Sequence, residues 1–137
     1  MVKIQGINHI TIRVSNIESS KTFYMNILGA KIVHKGNTDV YLDAGGVWLC
    51  LIEIKDAKPM DKNQVGVDHF AFTVSEEHFP KAVQLLREQN VEITRGPIQR
   101  GGGNTVSFND LDGNEIEFFT GSLQERMKNW KQAMEVS

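Results

Sequence analysis

Gly6-Ile7-Asn8-His9-Ile10-Thr11-Ile12-Arg13-Val14-Ser15 and Gly66-Val67-Asp68-His69-Phe70-Ala71-Phe72-Thr73-Val74-Ser75 are two versions of one segment, sixty residues apart with no gap. Glycine, histidine, valine and serine recur identically, and most apolar positions recur in type. An internal repeat is the first thing to seek in a chain, because it fixes the architecture before any single element is assigned.

The residues downstream of each copy repeat as well. After the first, Ile17, Ser20, Phe23, Tyr24, Ile27 and Leu28 have the three-and-four spacing of an amphipathic helix over 16–28. Ser15 is the expected N-cap, with Glu18 as its capping-box partner, and Gly29 is the C-terminal stop. Lys31-Ile32-Val33 reads as a strand. After the second copy, Phe79, Ala82, Val83, Leu85 and Leu86 form the apolar stripe of a helix within 75–89. His78 stands where Ser75 would want an acidic partner, and Pro80 delays the regular helix by a turn. Asn90 ends it and Val91-Glu92-Ile93 reads as a strand. Two further strands close each half: 40–42 and 47–54 around Asp43-Ala44-Gly45-Gly46, then 105–109 and 115–120 around Asp110-Leu111-Asp112-Gly113-Asn114. Both turns carry glycine where a tight hairpin wants positive φ.

Each half therefore reads β-α-β-β-β. The expected class is α+β: two tandem βαβββ modules with cupped mixed sheets. The first module spans 1–56, a charged linker 57–65 and the second module 66–121. A helical tail, 122–137, shows Leu123, Met127, Trp130 and Met134 on one face. The length of 137 residues suits this arrangement. A net charge of −2 points to neither nucleic acid nor anionic lipid. No apolar run is long enough to span a membrane, and 1–5 lacks the apolar region of a signal peptide, so the cytoplasm is the expected location. The lone Cys50 excludes an internal disulfide.

The repeat carries chemistry because it places a histidine at the same point of two strands. One histidine on a strand is usually structural, but two at equivalent positions can be brought together by a pseudo-twofold axis. The flanking residues are apolar on both sides, so both strands are expected to be buried on both faces. Two imidazoles and a carboxylate suit Mn, Fe, Ni or Zn. Glu117 supplies the carboxylate, while Glu115, nearer the strand end, is expected to stay solvated. Aligning Gly46-Val47-Trp48-Leu49-Cys50 with Gly113-Asn114-Glu115-Ile116-Glu117 places Cys50 opposite Glu117 in the repeat. Three good ligands, His9, His69 and Glu117, and one poor one leave the coordination open, as a catalytic metal requires. His34 and His78 read as exposed, without a role.

With these motifs the chain resembles the vicinal oxygen chelate superfamily, which includes glyoxalase I, extradiol dioxygenases, bleomycin-binding proteins and fosfomycin-resistance enzymes. The resemblance covers about residues 5–130. It rests on Asn8-His9-Ile10-Thr11, Phe23-Tyr24 with Leu28-Gly29, Trp48-Leu49-Cys50, Asp68-His69-Phe70 and Asp112-Gly113-Asn114-Glu115-Ile116-Glu117. The tail Gly121-Ser122-Leu123-Gln124-Glu125-Arg126 looks like the fosfomycin-resistance branch.

That branch implies a homodimer whose sites are shared, His9 from one subunit and His69 with Glu117 from the other. It also implies a divalent metal, typically Mn²⁺, a small phosphonate epoxide as substrate, and a thiol or water as nucleophile. By the same resemblance Thr11 activates the epoxide oxygen, Tyr41, Trp48 and Cys50 line the pocket, and Arg126 holds the phosphonate. Asp39 matches the base carboxylate of water-using members, although its setting in Gly36-Asn37-Thr38-Asp39 also reads as a turn. The chain departs from the branch where the phosphonate loop should be: it has Pro97, Gly101, Thr105 and Ser107 there, and Val67 where a pocket tyrosine is expected. Thr105 keeps a hydroxyl, and Arg95, Arg100 and the run Gly101-Gly102-Gly103 can form an anion site, set against a flexible surface loop over the same residues. Two alternatives stay open. A glyoxalase I-like isomerase would need a fourth ligand, which neither Cys50 nor Glu53 supplies. A bleomycin-type binding protein would not need the metal set.

Overall fold

The computed structural model describes residues 1–136, with side chains to Lys131, so Met134 of the expected tail stripe lies outside the described side chains. The chain divides into two compact units, Met1–Pro59 and Met60–Ser137, with the boundary inside the expected linker.

The first unit holds β1 (His9–Val14), α1 (Ile17–Leu28), β2 (Lys31–Lys35), β3 (Asp39–Ala44) and β4 (Val47–Glu53). The second holds β5 (His69–Thr73), α2 (Phe79–Glu88), β6 (Ile93–Arg100), β7 (Gly103–Asn109), β8 (Glu115–Phe119) and α3 (Leu123–Val136). The sheets have orders β1-β4-β3-β2 and β5-β8-β7-β6, the first pair parallel and the others antiparallel. The class is α+β, with the βαβββ module present twice.

The repeat persists in the hydrogen-bond register. His9 faces Trp48 and Thr11 faces Cys50 across the first parallel ladder; His69 faces Glu115 and Ala71 faces Glu117 across the second. Cys50 and Glu117 are thus equivalent, as the alignment required.

Side chains alternate across a strand, and here the alternation sorts core from site. In the first sheet Ile12, Val14, Val40, Leu42, Leu49 and Leu51 are buried together with Ile17, Tyr24 and Ile27 of α1. Each such side chain contributes about 1.5–3 kcal/mol of transfer free energy. The second sheet does the same with Val106, Phe108, Ile116 and Phe118 beside Phe79, Val83 and Leu86 of α2. The expectation that the histidine strands are buried on both faces is corrected. His9, Thr11 and Arg13, like His69, Ala71 and Thr73, are exposed within their own units, and only the intervening positions turn inward.

Three local expectations also change. Asn16, not Ser15, caps α1: its Oδ1 accepts from Ser19 N at 3.0 Å, and Glu53 Oε2 accepts from Ile17 N at 2.9 Å. Both residues are able caps, and the chain uses the later one. Gly29 does end α1, in the left-handed conformation at φ 64°. The strand expected at 91–93 instead begins at Ile93 and continues to Arg100, so 95–104 is the β6–β7 hairpin rather than a surface loop. Its ladder is irregular between Arg95 and Ile98, where Gly96-Pro97 interrupts the alternation, and β6 lies at the sheet edge, where a proline is tolerated.

At the tip of this hairpin Gly101 and Gly102 both have positive φ, 60° and 83°. A Cβ on Gly103 would lie 2.6 Å from the backbone N of Gly121. The glycine run thus has a packing reason, which is to admit the chain entering α3.

Candidate metal site

The second unit carries a ready-made pair of donors. β5 and β8 run side by side, and the open face of this sheet presents His69, Glu115 and Glu117. His69 Nε2 lies 3.2 Å from Glu117 Oε1. His69 Nδ1 lies 2.7 Å from Asp68 Oδ2, so the ring donates there and turns Nε2 toward Glu117. A carboxylate on the far nitrogen is the usual way to fix the tautomer and aim of a metal-binding imidazole. The other oxygen of Glu117, Oε2, accepts a hydrogen bond from the Thr105 hydroxyl on β7. Thr105 is buried, which holds that carboxylate in one orientation.

The electrostatics agree. Asp68 raises the His69 pKa above its ordinary 6.5, against the opposing effect of burial and with further help from Glu117 and Glu115. The same contact lowers Asp68.

Asp68, His69 and Glu115 form a second possible donor set, with ligand atoms within 4.8 Å of one another. Two contacts argue against it. Asp68 is already engaged on the Nδ1 side of the ring. Glu115 is not solvated as expected: it is half-buried and ion-paired to Lys62 at 3.3 Å. His69 with Glu117 is the pair whose donor atoms converge.

The first unit carries the equivalent histidine, His9. His9 Nδ1 lies 2.7 Å from Asn8 Oδ1, so its ring is oriented by the preceding residue, as His69 is. Trp48 packs against it with ring centroids 4.3 Å apart, and Tyr41 meets Trp48 edge-on at 5.4 Å. Trp48 is 40% exposed, an aromatic surface on the same face as Thr11 and Tyr41. Cys50 sits between Thr11 and Tyr41 in the ladder. It is buried, and that burial, with the nearby Asp39 charge, pushes its thiol pKa up; a hydrogen bond with Thr11 only partly offsets this. Asp39 is the first residue of β3 rather than a turn residue, and its Oδ2 lies 3.7 Å from His34 Nε2. His34, expected to be idle, also stacks near Tyr41 at 4.8 Å.

The expected anion residues lie on or beside the β6–β7 hairpin. Gly101 lies beneath the Arg126 side chain, close enough that a Cβ there would meet Arg126 Cγ at 3.1 Å. Arg100 pairs with Gly103, exposed, and Arg95 pairs with Ser107. Thr105 belongs instead to the Glu117 contact. Glu53, the other candidate for a fourth ligand, is committed to the start of α1.

Sequence reasoning missed Asn8, Asp68 and Lys62. The first two had a signal: both histidines come directly after a residue with a side-chain acceptor, at the same place in the repeat. Lys62 had none.

Comparison with known proteins agrees with this geometry. Residues 6–118 match the Glyoxalase/Bleomycin resistance protein/Dioxygenase superfamily. The chain is 41% identical over 131 residues to metallothiol transferase FosB of Staphylococcus epidermidis, covering 95% of this chain and 94% of that protein. It is 33% identical over 124 residues to glutathione transferase FosA of Serratia marcescens, covering 90% and 86%. Among solved structures it resembles a mutant of the fosfomycin resistance protein FosX from Listeria monocytogenes complexed with Mn(II) and 1S,2S-dihydroxypropylphosphonic acid. The TM-score is 0.77 at 25% identity, covering 93% of this chain and 99% of that one.

Proposed function

The chain belongs to the glyoxalase/bleomycin resistance protein/dioxygenase superfamily, and we propose that it is a divalent-metal-dependent enzyme of the fosfomycin-resistance type, opening the epoxide of a small phosphonate with a thiol or water. The observation that carries this reading is the convergence of His69 Nε2 and Glu117 Oε1 at 3.2 Å, with the remaining donor atom of each side chain held by Asp68 or Thr105. The metal set is His9, His69 and Glu117, and the donor chemistry suits Mn²⁺ and its neighbours. The relatives carry the same implication, being a metallothiol transferase and, in the solved FosX complex, a protein with Mn(II).

When bound, the cation acts as a Lewis acid toward substrate oxygens. The chain's own residues do the rest. Attack at an epoxide carbon breaks its bond to oxygen, and the oxygen leaving as alkoxide needs a hydrogen-bond donor, a role suited to the exposed Thr11. Trp48 and Tyr41 give an aromatic wall to the carbon skeleton. Arg126, with Arg100, holds the phosphonate, since a guanidinium pairs with such an anion in bidentate fashion.

The nucleophile comes from outside the chain. Cys50 is buried and its thiol is held protonated, so it lines the site rather than attacks. A separate thiol cosubstrate therefore fits, as the names of two relatives indicate for those proteins. For the water version the base is Asp39, steadied by His34. The active form is a homodimer in which His9 comes from one chain and His69 with Glu117 from its partner, in the cytoplasm, where reduced thiols are abundant.

The test is direct. Protein purified without a polyhistidine tag, loaded with Mn²⁺, is given fosfomycin with glutathione, bacillithiol, cysteine or water alone, and phosphorus NMR tracks the product. A thiol adduct or a diol is expected. No conversion with any nucleophile, by folded protein containing stoichiometric metal, overturns the substrate assignment.

A further inference from the structure

Two donor sets compete around His69, and a lysine engages the second carboxylate. Asp68, His69 and Glu115 present ligand atoms within 4.8 Å of one another, while His69 Nε2 and Glu117 Oε1 converge at 3.2 Å. Glu115 and Glu117 share a strand face, so both carboxylates lie beside the same imidazole. Their partners separate them. Glu117 is held by a neutral hydroxyl, from Thr105, which leaves its charge available. Glu115 is held by a cation: Lys62 Nζ lies 3.3 Å from Glu115 Oε1 and donates, also at 3.3 Å, to the carbonyl oxygen of Asp68. Lys62 therefore ties the segment before β5 to the first residue of β8. That segment is itself fixed to the β7–β8 turn, where Met60 N donates to Asp112 O at 2.9 Å.

We infer that Lys62 is a positioning residue that withholds Glu115 from the metal, so that coordination stops at two imidazoles and one carboxylate and leaves room for the substrate's oxygens. A carboxylate neutralised by an ammonium is a poor ligand, and a dication approaching it meets the lysine's charge. Removing Lys62 frees an anion beside His69 and admits it as a further ligand. The result is a tighter metal and a more closed site. The inference rests on the proposed metal site and specifies what sets its carboxylate count.

The experiment uses the full-length protein loaded with Co²⁺ or Mn²⁺. Metal affinity is measured by titration, and the visible absorption of the Co²⁺ form reports coordination number, its intensity falling as ligands are added. Lys62→Met is expected to tighten metal by about tenfold, the low end of what residues just outside the ligand shell do to affinity, and to weaken the Co²⁺ absorption. Glu115→Gln in the Lys62→Met background is expected to restore both, and Lys62→Arg to leave both near the parent. In the parent background Glu115→Gln alone is expected to leave affinity within about twofold, below that range. This single variant keeps an acceptor for Lys62 while removing the carboxylate charge, and tests the idea even if Lys62→Met does not fold. An unchanged spectrum in folded Lys62→Met, a loss of metal that Glu115→Gln fails to reverse, or a large loss in Glu115→Gln alone overturns the inference. A parallel Glu117→Gln sample separates the two levels: if it keeps the parent's affinity and spectrum, the metal site itself has failed, whatever Lys62 does.

Discussion

Cys50 and Glu117 occupy the same place in two copies of one sheet, each across a parallel ladder from the residue two beyond its module's histidine. One place carries a buried, protonated thiol and the other a half-buried carboxylate held by Thr105. The repeat thus carries a histidine in both copies but a carboxylate at this place in only one. Glu117→Gln is expected to lower Mn²⁺ affinity by more than about 100-fold, beyond the range of outer partners, while Cys50→Ala leaves it unchanged. Calorimetric titration of the two variants checks this, and equal affinities would remove Glu117 from the ligand set.

Thr105→Val keeps the volume and the β-branched shape but removes the hydroxyl that fixes Glu117. Metal affinity is expected to fall by about 10–100-fold with the fold retained. Titration beside circular dichroism separates this from simple unfolding. A wild-type affinity would show that the hydroxyl contact does not orient the carboxylate.

Metal binding is expected to weaken on acidification, beginning above pH 6.5. Protons and metal compete for His69, and Asp68 raises that imidazole's pKa above its ordinary 6.5. Asp68→Asn keeps an acceptor for Nδ1 but removes the charge, and should move the onset to lower pH. Without metal the linkage runs the other way: the raised pKa stabilises the fold fully below about 6.5, and the contribution disappears as pH rises through the folded value. Affinity measured from pH 5 to 9 in both proteins checks the direction.

Gly103→Ala places a Cβ 2.6 Å from the backbone N of Gly121, where no flexible side chain can yield. The expected cost is about 1–3 kcal/mol, read from thermal or denaturant unfolding. Arg126→Ala should leave stability nearly unchanged, its side chain being exposed, but weaken phosphonate binding to the metal-loaded protein. An unaltered phosphonate affinity would detach Arg126 from the proposed site.

The parts of this molecule that were legible in its sequence are those written twice. The two histidine segments, the helices behind them and the equivalence of Cys50 with Glu117 all come from one alignment. Elements without a counterpart were harder. β6 is broken by Gly96-Pro97, so its residues carry no clean alternation and read as a loop. Ser15 and Asn16 are adjacent and equally able to cap, and only the backbone decides between them. Lys62 lies in a charged linker and meets Glu115, a residue far along the chain; nothing local marks it. Burial of the histidine strands was misjudged because Ile10, Ile12, Phe70 and Phe72 suggest two apolar faces, while the residues between them are exposed in each unit.

The position of β1 and β5 at the ends of their sheets bears on how the protein matures. Each joins its sheet through a parallel pairing with the last strand of its own module, His9 with Trp48 and His69 with Glu115. The helix and hairpin contacts between them are local, and closing the parallel ladder spans nearly the whole module. Contacts of such long sequence separation are the slow ones. Each histidine strand is therefore set into its sheet only when its module is complete, and a chain released early or folded in part carries its hairpins with that strand still unpaired.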